Sequence, residues 1–296
     1  MRGVVVALGN FDGVHLGHRV VIRRAVEEGR VRGLRSVVAT FDPHPQTVLR
    51  PGSEPKLLTT LEVRKEMLLE CGVDEVGVIR FDWDLSKKSP RHFVRDVLIG
   101  AFHAVVVVVG ENFRFGYKAL GNVEDLRRCM GEMGGEVRAV PTYAFGEVIS
   151  STRIRDLLQG GEVREAARLL GRPYLLRGEV EIGDKRGRRL GFPTANVLPD
   201  TRALVPGQGV YAGYVWVGDE RYGACTNVGV APTFERRDSR VEAYLLGYEG
   251  NLYGKVVDVT FVERLRPEKR FSGAGELKAQ IARDVTEARK VLGEGA

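Results

Sequence analysis

The sequence has only three cysteines, Cys71, Cys129 and Cys225, far apart and outside any Cys-x-x-Cys pair. An odd, scattered set excludes a disulfide framework, argues against a zinc site and suits a reducing compartment, so a cytoplasmic location is expected. No apolar run approaches the roughly 18–20 residues of a membrane span. The longest, residues 104–109, has the length of a strand. The start of the chain offers one short apolar run, Val4–Leu8, with polar Asn10 and Asp12 just after it, which is not the pattern of a secretory signal. Familiar phosphate loops are missing too. Gly250-Asn251-Leu252-Tyr253-Gly254-Lys255-Val256 lacks the spacing and the hydroxyl of Gly-x-x-x-x-Gly-Lys-[Ser/Thr]. No Gly-x-Gly-x-x-Gly opens a helix after a strand, and protein-kinase motifs are absent. There are no repeats and no low-complexity tracts.

What is present suggests two domains. The chain has 296 residues, 43% of them hydrophobic, which is enough for sizeable cores. Its net charge is +6 and its pI about 9.3, compatible with any anionic ligand from nucleotide to nucleic acid. Glycine, at 37 residues, is nearly twice the usual share and must serve turns and close backbone approaches. Apolar strands over Val4–Leu8 and residues 36–41, 75–81, 104–109 and 137–141 alternate with helical patterns over 15–28, 61–71, 91–98 and 122–133. That alternation predicts a doubly wound α/β domain with a parallel sheet. Two further helices are expected over 152–159 and 163–170. From Tyr174 the pattern changes to antiparallel strands over 176–182, 209–217, 222–228, 241–248 and 256–265, separated by Gly, Pro and Asp turns. This predicts a small β-barrel or sandwich, with a last amphipathic helix near 275–292 packed on it. The boundary is expected near Gly171 and Arg172, giving domains 1–171 and 172–296.

Four strings could carry chemistry. Gly9-Asn10-Phe11-Asp12-Gly13-Val14-His15-Leu16-Gly17-His18 lies between the first strand and the first helix. Ligands of open α/β sheets bind there, and a helix N-terminus attracts phosphate. His15 and His18 are three apart and share a face, so both could hold a polyphosphate. A plain turn with solvated histidines and a metal site of His15, His18 and His44 are the other readings. In Ile149-Ser150-Ser151-Thr152-Arg153-Ile154-Arg155, three hydroxyls and two arginines open a helix. They can be a cap or a second phosphate clamp. Gly187-Arg188-Arg189-Leu190-Gly191-Phe192-Pro193-Thr194-Ala195-Asn196 is expected as a loop of the β domain. Thr194 and Asn196 alternate there, so both point one way in extended chain; their neutral oxygens suit Mg²⁺ beside phosphate and water. A polar turn is the bland reading. Glu242 in a strand could be a general base or simply an exposed residue.

Together these strings resemble the family of bifunctional bacterial riboflavin kinase / FMN adenylyltransferase (FAD synthetase), from about Val4 to Arg289. His15-Leu16-Gly17-His18 is similar to the nucleotidyltransferase signature His-x-Gly-His. Thr40-Phe41-Asp42-Pro43-His44-Pro45, Gly110-Glu111-Asn112-Phe113-Arg114-Phe115-Gly116, the 149–155 string and the 187–196 string narrow the resemblance to the flavin branch. So do Asn227-Val228-Gly229-Val230-Ala231-Pro232-Thr233-Phe234, Val241-Glu242-Ala243, Tyr253-Gly254 and Leu265-Arg266 with Phe271. The resemblance implies a nucleotidyltransferase domain followed by a riboflavin-kinase-like barrel. Riboflavin would be phosphorylated by ATP to FMN, and FMN adenylylated to FAD with release of pyrophosphate.

By position, Gly9, Asn10, Phe11, Asp12, Gly13, His15, Gly17 and His18 would bind ATP, with His15 and His18 catalytic; Ser151, Thr152 and Arg155 would hold the phosphates that leave. Asn112 with Asp42, Pro43, His44 and Pro45 would seat FMN. In the barrel Gly187, Arg188, Gly191, Thr194 and Asn196 would bind ATP, Thr194 and Asn196 would hold Mg²⁺, Glu242 would be the base, and Arg266 with Phe271 would bind flavin. Ala119 and Tyr244 stand where many members carry Arg and His, and Lys118 is the nearby cation. Small-molecule substrates are the partners implied, with no membrane; an oligomer is compatible. The rival class is a nucleic-acid-binding barrel using Arg186, Arg188, Arg189, Arg236 and Arg237. These lie in loops without interleaved aromatics, so nucleic acid is not expected.

Overall fold

The computed structural model describes residues 3–141, 143–144, 147–183, 187, 190–230 and 239–294. Arg186, Arg188, Arg189, Arg236, Arg237 and residues 231–234 lie outside the described residues. Packing divides the chain into two compact units, residues 1–57 with 61–151, and residues 58–60 with 152–296.

In the first unit β1 (Val4–Leu8), β2 (Arg35–Asp42), β3 (Glu75–Arg80), β4 (Ala104–Gly110) and β5 (Glu136–Val140) form a five-stranded sheet. Its order is β3-β2-β1-β4-β5, and every neighbouring pair is parallel. β6 (Tyr143–Ala144) and β7 (Glu147–Val148) pair as a short ribbon. Val106 to Val109 are wholly buried, as expected of a strand covered on both faces. The covering helices are α1 (Leu16–Arg32), α2 (Pro45–Leu49), α3 (Leu61–Glu70), α4 (Trp83–Ser86), α5 (Pro90–Phe93) and α6 (Val123–Glu132). α5 runs on as a π-helical segment, Val94–Ala101, that buries Val94 and Leu98, where the sequence pattern predicts one α-helix. α2 is not expected from the sequence. Pro45 starts it with φ already near the helical value, and the His44 ring accepts the Gln46 N–H.

The second unit contains α7 (Ser151–Gly160), except for its first residue, and α8 (Val163–Leu170). α8 buries Val163, Ala166, Leu169 and Leu170 and packs on the following strands. Those strands are β8 (Tyr174–Glu181), β9 (Ala195–Pro199), β10 (Gly209–Val217), β11 (Glu220–Val230), β12 (Ser239–Leu245), β13 (Val256–Phe261) and β14 (Glu263–Arg266). The ring β11-β12-β9-β8-β13-β10 closes through the β10–β11 ladder, an antiparallel barrel of six strands. β14 extends the pairing at the other end of β10. The single strand expected over 256–265 is thus divided at Val262, because β10 is long enough to pair with both parts. β9 corrects the loop expected around Asn196: Ala195 and Val197 are buried while Leu198 faces outward, the alternation of a strand. Tyr174, Tyr211 and Phe261 fill the interior with ring centroids 5.3–6.2 Å apart. α9 (Ala274–Leu292) covers β10 and β11, burying Ala288 beside Val210, Ala212 and Cys225.

An ion network ties α1 to β5. Arg32 makes two hydrogen bonds to Glu136, at 2.8 and 2.9 Å, and Arg138 adds one at 2.7 Å. These guanidinium hydrogen bonds hold the Glu136 carboxyl down at about 2, against an ordinary 4.5. A lowered carboxylate stabilises the fold above its unfolded pKa, and the contribution fades as pH falls through the folded value. The melting temperatures of the parent and Glu136→Gln should therefore differ near neutral pH and converge as pH falls from 4.5 toward about 2. A gap that does not narrow on acidification would rule out this network as its source.

Candidate functional site

The strand order reverses beside β1, so the crevice at its carboxyl end is where a ligand of this sheet would sit. The turn that leaves β1 is tightly constrained. Gly9 N–H donates to the Ala39 carbonyl at 3.2 Å, and Val14 N–H to the Phe11 carbonyl at 3.0 Å. Phe11, Gly13 and Val14 all have positive φ, at 50°, 86° and 41°. For a β-branched residue this is strained backbone, of a kind that clusters at functional sites. His15 caps α1: its Nδ1 accepts the His18 N–H at 3.2 Å. The two imidazoles stack at 3.5 Å, and Phe11 meets His18 edge-on at 5.3 Å. The shared face expected for the histidines is therefore present. Asp12, His15 and Gly17 are buried. Ser151 Oγ donates to the Asp12 carbonyl at 2.9 Å, which brings that residue of the 149–155 string to this turn. Thr152 and Arg155 lie on α7 and pack with the second unit. Among the described residues no group of three His, Cys, Asp or Glu could hold a metal, and His44 caps α2 instead.

An aromatic cavity of about 740 Å³ opens in the same unit. Of the residues expected to seat FMN, Pro45 lines it; Asp42, Pro43, His44 and Asn112 do not, and Asn112 is exposed. Asn10, expected for ATP, also lines it. Sequence reading missed the aromatic walls: Phe81, Trp83, Phe113, Phe115 and Tyr117. The spacing of 113, 115 and 117 was a usable signal, since alternate residues of extended chain share a side. Phe113 and Phe115 stack at 5.7 Å. Arg114, Lys87, Lys118 and Ala119 also line it, so Lys118 brings positive charge beside Ala119. Behind the turn, buried Arg64 was also missed. It sits on the face of α3 that buries Val63, Met67 and Leu68, an apolar register in which an arginine is conspicuous.

The barrel holds two cavities, about 560 and 430 Å³, and both are lined by Thr194 and Asn196. The smaller one also collects Gly187, Glu242, Arg266 and Phe271, so the structure brings together most of the kinase residues expected from sequence. Gly191 lines neither cavity and turns with φ 90°. The ladders explain the convergence. Glu242 pairs across β12 with Asn196 on one side and Asn227 on the other. Arg240 Nε reaches both Glu242, at 2.8 Å, and Asn196 Oδ1, at 3.3 Å, holding the carboxylate and the amide in one plane of the sheet. α9 contributes Asp284, whose carboxylate takes Arg266 Nε and Nη2 at 2.9 and 2.7 Å. Arg266 then lies 5.7 Å from the Phe271 ring. Tyr244, where many relatives would place His, forms part of the wall with its ring at right angles to Phe192, centroids 5.4 Å apart. Cys225 lines the same cavity, and burial pushes its thiol up to about 12, so it stays protonated at neutral pH.

A doubly wound sheet with a histidine-bearing turn at its switch point, followed by a barrel whose cavities meet at a Thr and an Asn, defines a two-site nucleotide-dependent transferase. Comparison with known proteins makes this specific. The FAD synthetase family model matches residues 1–153, and the riboflavin kinase model matches residues 170–292. The chain is 38% identical over 294 residues to the bifunctional riboflavin kinase/FMN adenylyltransferase of Escherichia coli K12, covering 99% of this chain and 94% of that protein. It is 39% identical to the protein of that name from Listeria monocytogenes, covering 96% and 91%. A crystal structure from Streptococcus pneumoniae, named a macrolide-efflux protein, superposes with a TM-score of 0.89 at 33% identity, covering 97% and 94%. That name describes the other protein; among the described residues here no helix is long and apolar enough to cross a membrane. The chain belongs to the family of bifunctional riboflavin kinase/FMN adenylyltransferases, transferases of FMN and FAD biosynthesis.

Gly183 borders the larger barrel cavity, and a Cβ built there would overlap the Asn196 amide. Asn196 is short and half-buried, so it can turn aside without breaking the fold, but not without leaving its place between the cavities. Gly183→Ala should lower the riboflavin phosphorylation rate by about tenfold or more, as small misplacements of positioning groups do. FAD formation from supplied FMN should stay at the parental rate. Unchanged kinase turnover would show that Asn196 has no fixed place in that reaction.

Proposed function

We propose that each activity belongs to one unit and rests on the residues gathered there. Along the chain, residues 1–171 would form the adenylylating domain and residues 172–296 the kinase domain, with residues 152–171 packing on the second unit. The observation that carries this division is the separation of the clusters: stacked His15 and His18 on one compact unit, and Thr194, Asn196 and Glu242 on the other.

In the first unit the ATP phosphates would lie on the turn and the start of α1, where free N–H groups and the helix dipole favour negative charge. His15 and His18 would donate to the phosphate oxygens as charge builds during transfer, and Ser151 would border the same anion. Because Asp12, Phe11 and Val14 are buried, the backbone has little freedom to rearrange, so the donors are held in place before the substrate arrives. The aromatic cavity suits the flat isoalloxazine ring, with Arg114, Lys87 or Lys118 available to the FMN phosphate.

In the barrel the flavin would enter the cavity of Phe271, Tyr244 and Arg266, and ATP the cavity that shares Thr194 and Asn196. Glu242, oriented by Arg240, would accept the proton of the terminal ribityl hydroxyl as its oxygen attacks the γ-phosphorus; the bond from that phosphorus to the ADP oxygen breaks. Thr194 and Asn196 offer two hard, neutral oxygens between the cavities, which fits Mg²⁺ shared with phosphate and water. Mg²⁺, when bound, would neutralise phosphate charge. The proposed ligands are small molecules and the proposed location is cytoplasmic; nucleic acid has no part in this reading.

The test is paired, with both steps measured on the same purified variant. His18→Ala should lower FAD formation roughly 10²–10³-fold by removing a transition-state donor, with FMN formation nearly intact. Glu242→Gln should lower riboflavin phosphorylation roughly 10²–10⁴-fold while FMN adenylylation continues. Equal loss of both activities in either folded variant would refute the division, and parental kinase turnover in Glu242→Gln would reduce that residue to a structural one.

A further inference from the structure

Arg64 has no part in the chemistry described so far, yet it is one of the largest fully buried side chains in the molecule. Its Nη1 donates to the Asn10 carbonyl at 2.9 Å, and Thr40 Oγ1 donates to the same oxygen at 2.8 Å. Its Nη2 stands 3.9 Å from Asp42, too far for a hydrogen bond. Nε and Nη2 hydrogen-bond to nothing among the described residues. Burying a cation this way is expensive, and a packed aliphatic side chain would usually serve the fold as well or better. The placement suggests what the charge does instead. Asn10 lies in the strained turn before His15 and also borders the aromatic cavity. Asp42 opens the turn that leads to Pro45, another residue of that cavity. One guanidinium therefore stands between the segment assigned to ATP and the segment that borders the flavin cavity.

We propose that Arg64 is a positioning residue of adenylyl transfer: with Thr40 it fixes the Asn10 carbonyl, and it holds that turn in register with the turn headed by Asp42. The proposal rests on the reading that the first unit adenylylates FMN. Arg64 need not touch either substrate. By clamping the backbone between them it sets how the FMN phosphate meets the α-phosphorus of ATP, so its loss should appear in turnover rather than in flavin affinity. The aromatic walls, Phe81, Trp83, Phe113, Phe115 and Tyr117, are not among the groups that Arg64 holds.

The experiment uses the full chain, with riboflavin phosphorylation by the same molecules as the internal standard of a folded enzyme. Arg64→Met keeps an unbranched apolar stem and removes the charge and the donors. Its kcat for FAD formation should fall about 10–100-fold, the scale of a misplaced reacting group. The FMN Kd, read from flavin fluorescence without ATP, should change less than about threefold. Arg64→Lys, which restores a cationic donor for the Asn10 carbonyl, should recover most of kcat, and a merely structural role would not predict that split. Parental kcat in Arg64→Met, a fall in FMN affinity as large as the fall in rate, or a lysine variant as slow as the methionine one would each overturn the proposal. If the methionine variant does not fold, Thr40→Val removes the other donor to that carbonyl and leaves the charge in place. It should slow FAD formation several-fold at unchanged FMN Kd, and parental kcat there would overturn the proposal as well. A parent chain that formed no FAD would sink the underlying reading and this proposal together; a parent that does form it, beside a fully active Arg64→Met, would sink the proposal alone.

Discussion

The start of α1 leaves backbone N–H groups without intrahelical partners, and the first unit is arranged around that fact. One of them, the His18 N–H, is taken by the His15 ring. Using an imidazole as the cap places its other edge, and the stacked ring of His18, beside the remaining donors. The chain must also leave β1 and enter α1 within seven residues, Gly9 to His15, which drives Phe11, Gly13 and Val14 to positive φ. Such a turn persists only when its surroundings over-determine it. They do so here through buried Phe11 and Val14, the Asn10 carbonyl held from two sides, and the Asp12 carbonyl held by Ser151. The resulting turn is rigid because the sheet, α3 and the Ser151 hydroxyl all bear on one short piece of backbone.

The second unit reaches a comparable result by a different route. Among the described residues, the polar groups Asn196, Glu242 and Asn227 come from strands. β12 lies between β9 and β11 in the sheet, and this sets Asn196, Glu242 and Asn227 side by side at fixed ladder spacing. Arginine then fixes each acid or amide laterally: Arg240 binds Glu242 and Asn196, and Arg266 is itself gripped by Asp284 from α9. Register, and not loop conformation, sets the distances, so a slip of one residue in β9 would turn Asn196 away from the site.

Much of this was legible in the sequence, for physical reasons that differ by element. β4 announced itself because a strand buried on both faces needs an unbroken valine run. The His15-Leu16-Gly17-His18 spacing places both rings on one face, and the stacked rings agree. β9 was hidden because Gly191 and Pro193 just before it signal a turn, and its five residues are too few to outweigh them. α2 was hidden behind the same kind of punctuation at Pro43 and Pro45. The aromatic cavity of the first unit was the larger omission. Its walls come from separate stretches near 41–49, 81–87, 93 and 113–119, which only the sheet order brings together. Arg64 was legible as a charge on an apolar face of α3, but its meaning depends on what lies opposite, and helix periodicity is silent on that.

The two units also differ in how they keep a cation near a substrate. Arg266 is bound bidentately by buried Asp284, a pair neutral overall, which fixes the planar guanidinium beside Phe271. Arg64 is held away from its carboxylates, with Asp42 at 3.9 Å, and burial pushes its pKa below the ordinary value while Asp12 and Asp42 oppose that shift. Its charge is therefore less completely neutralised by a close partner, and in a poorly solvated interior such a charge acts over a longer range than one in a tight pair.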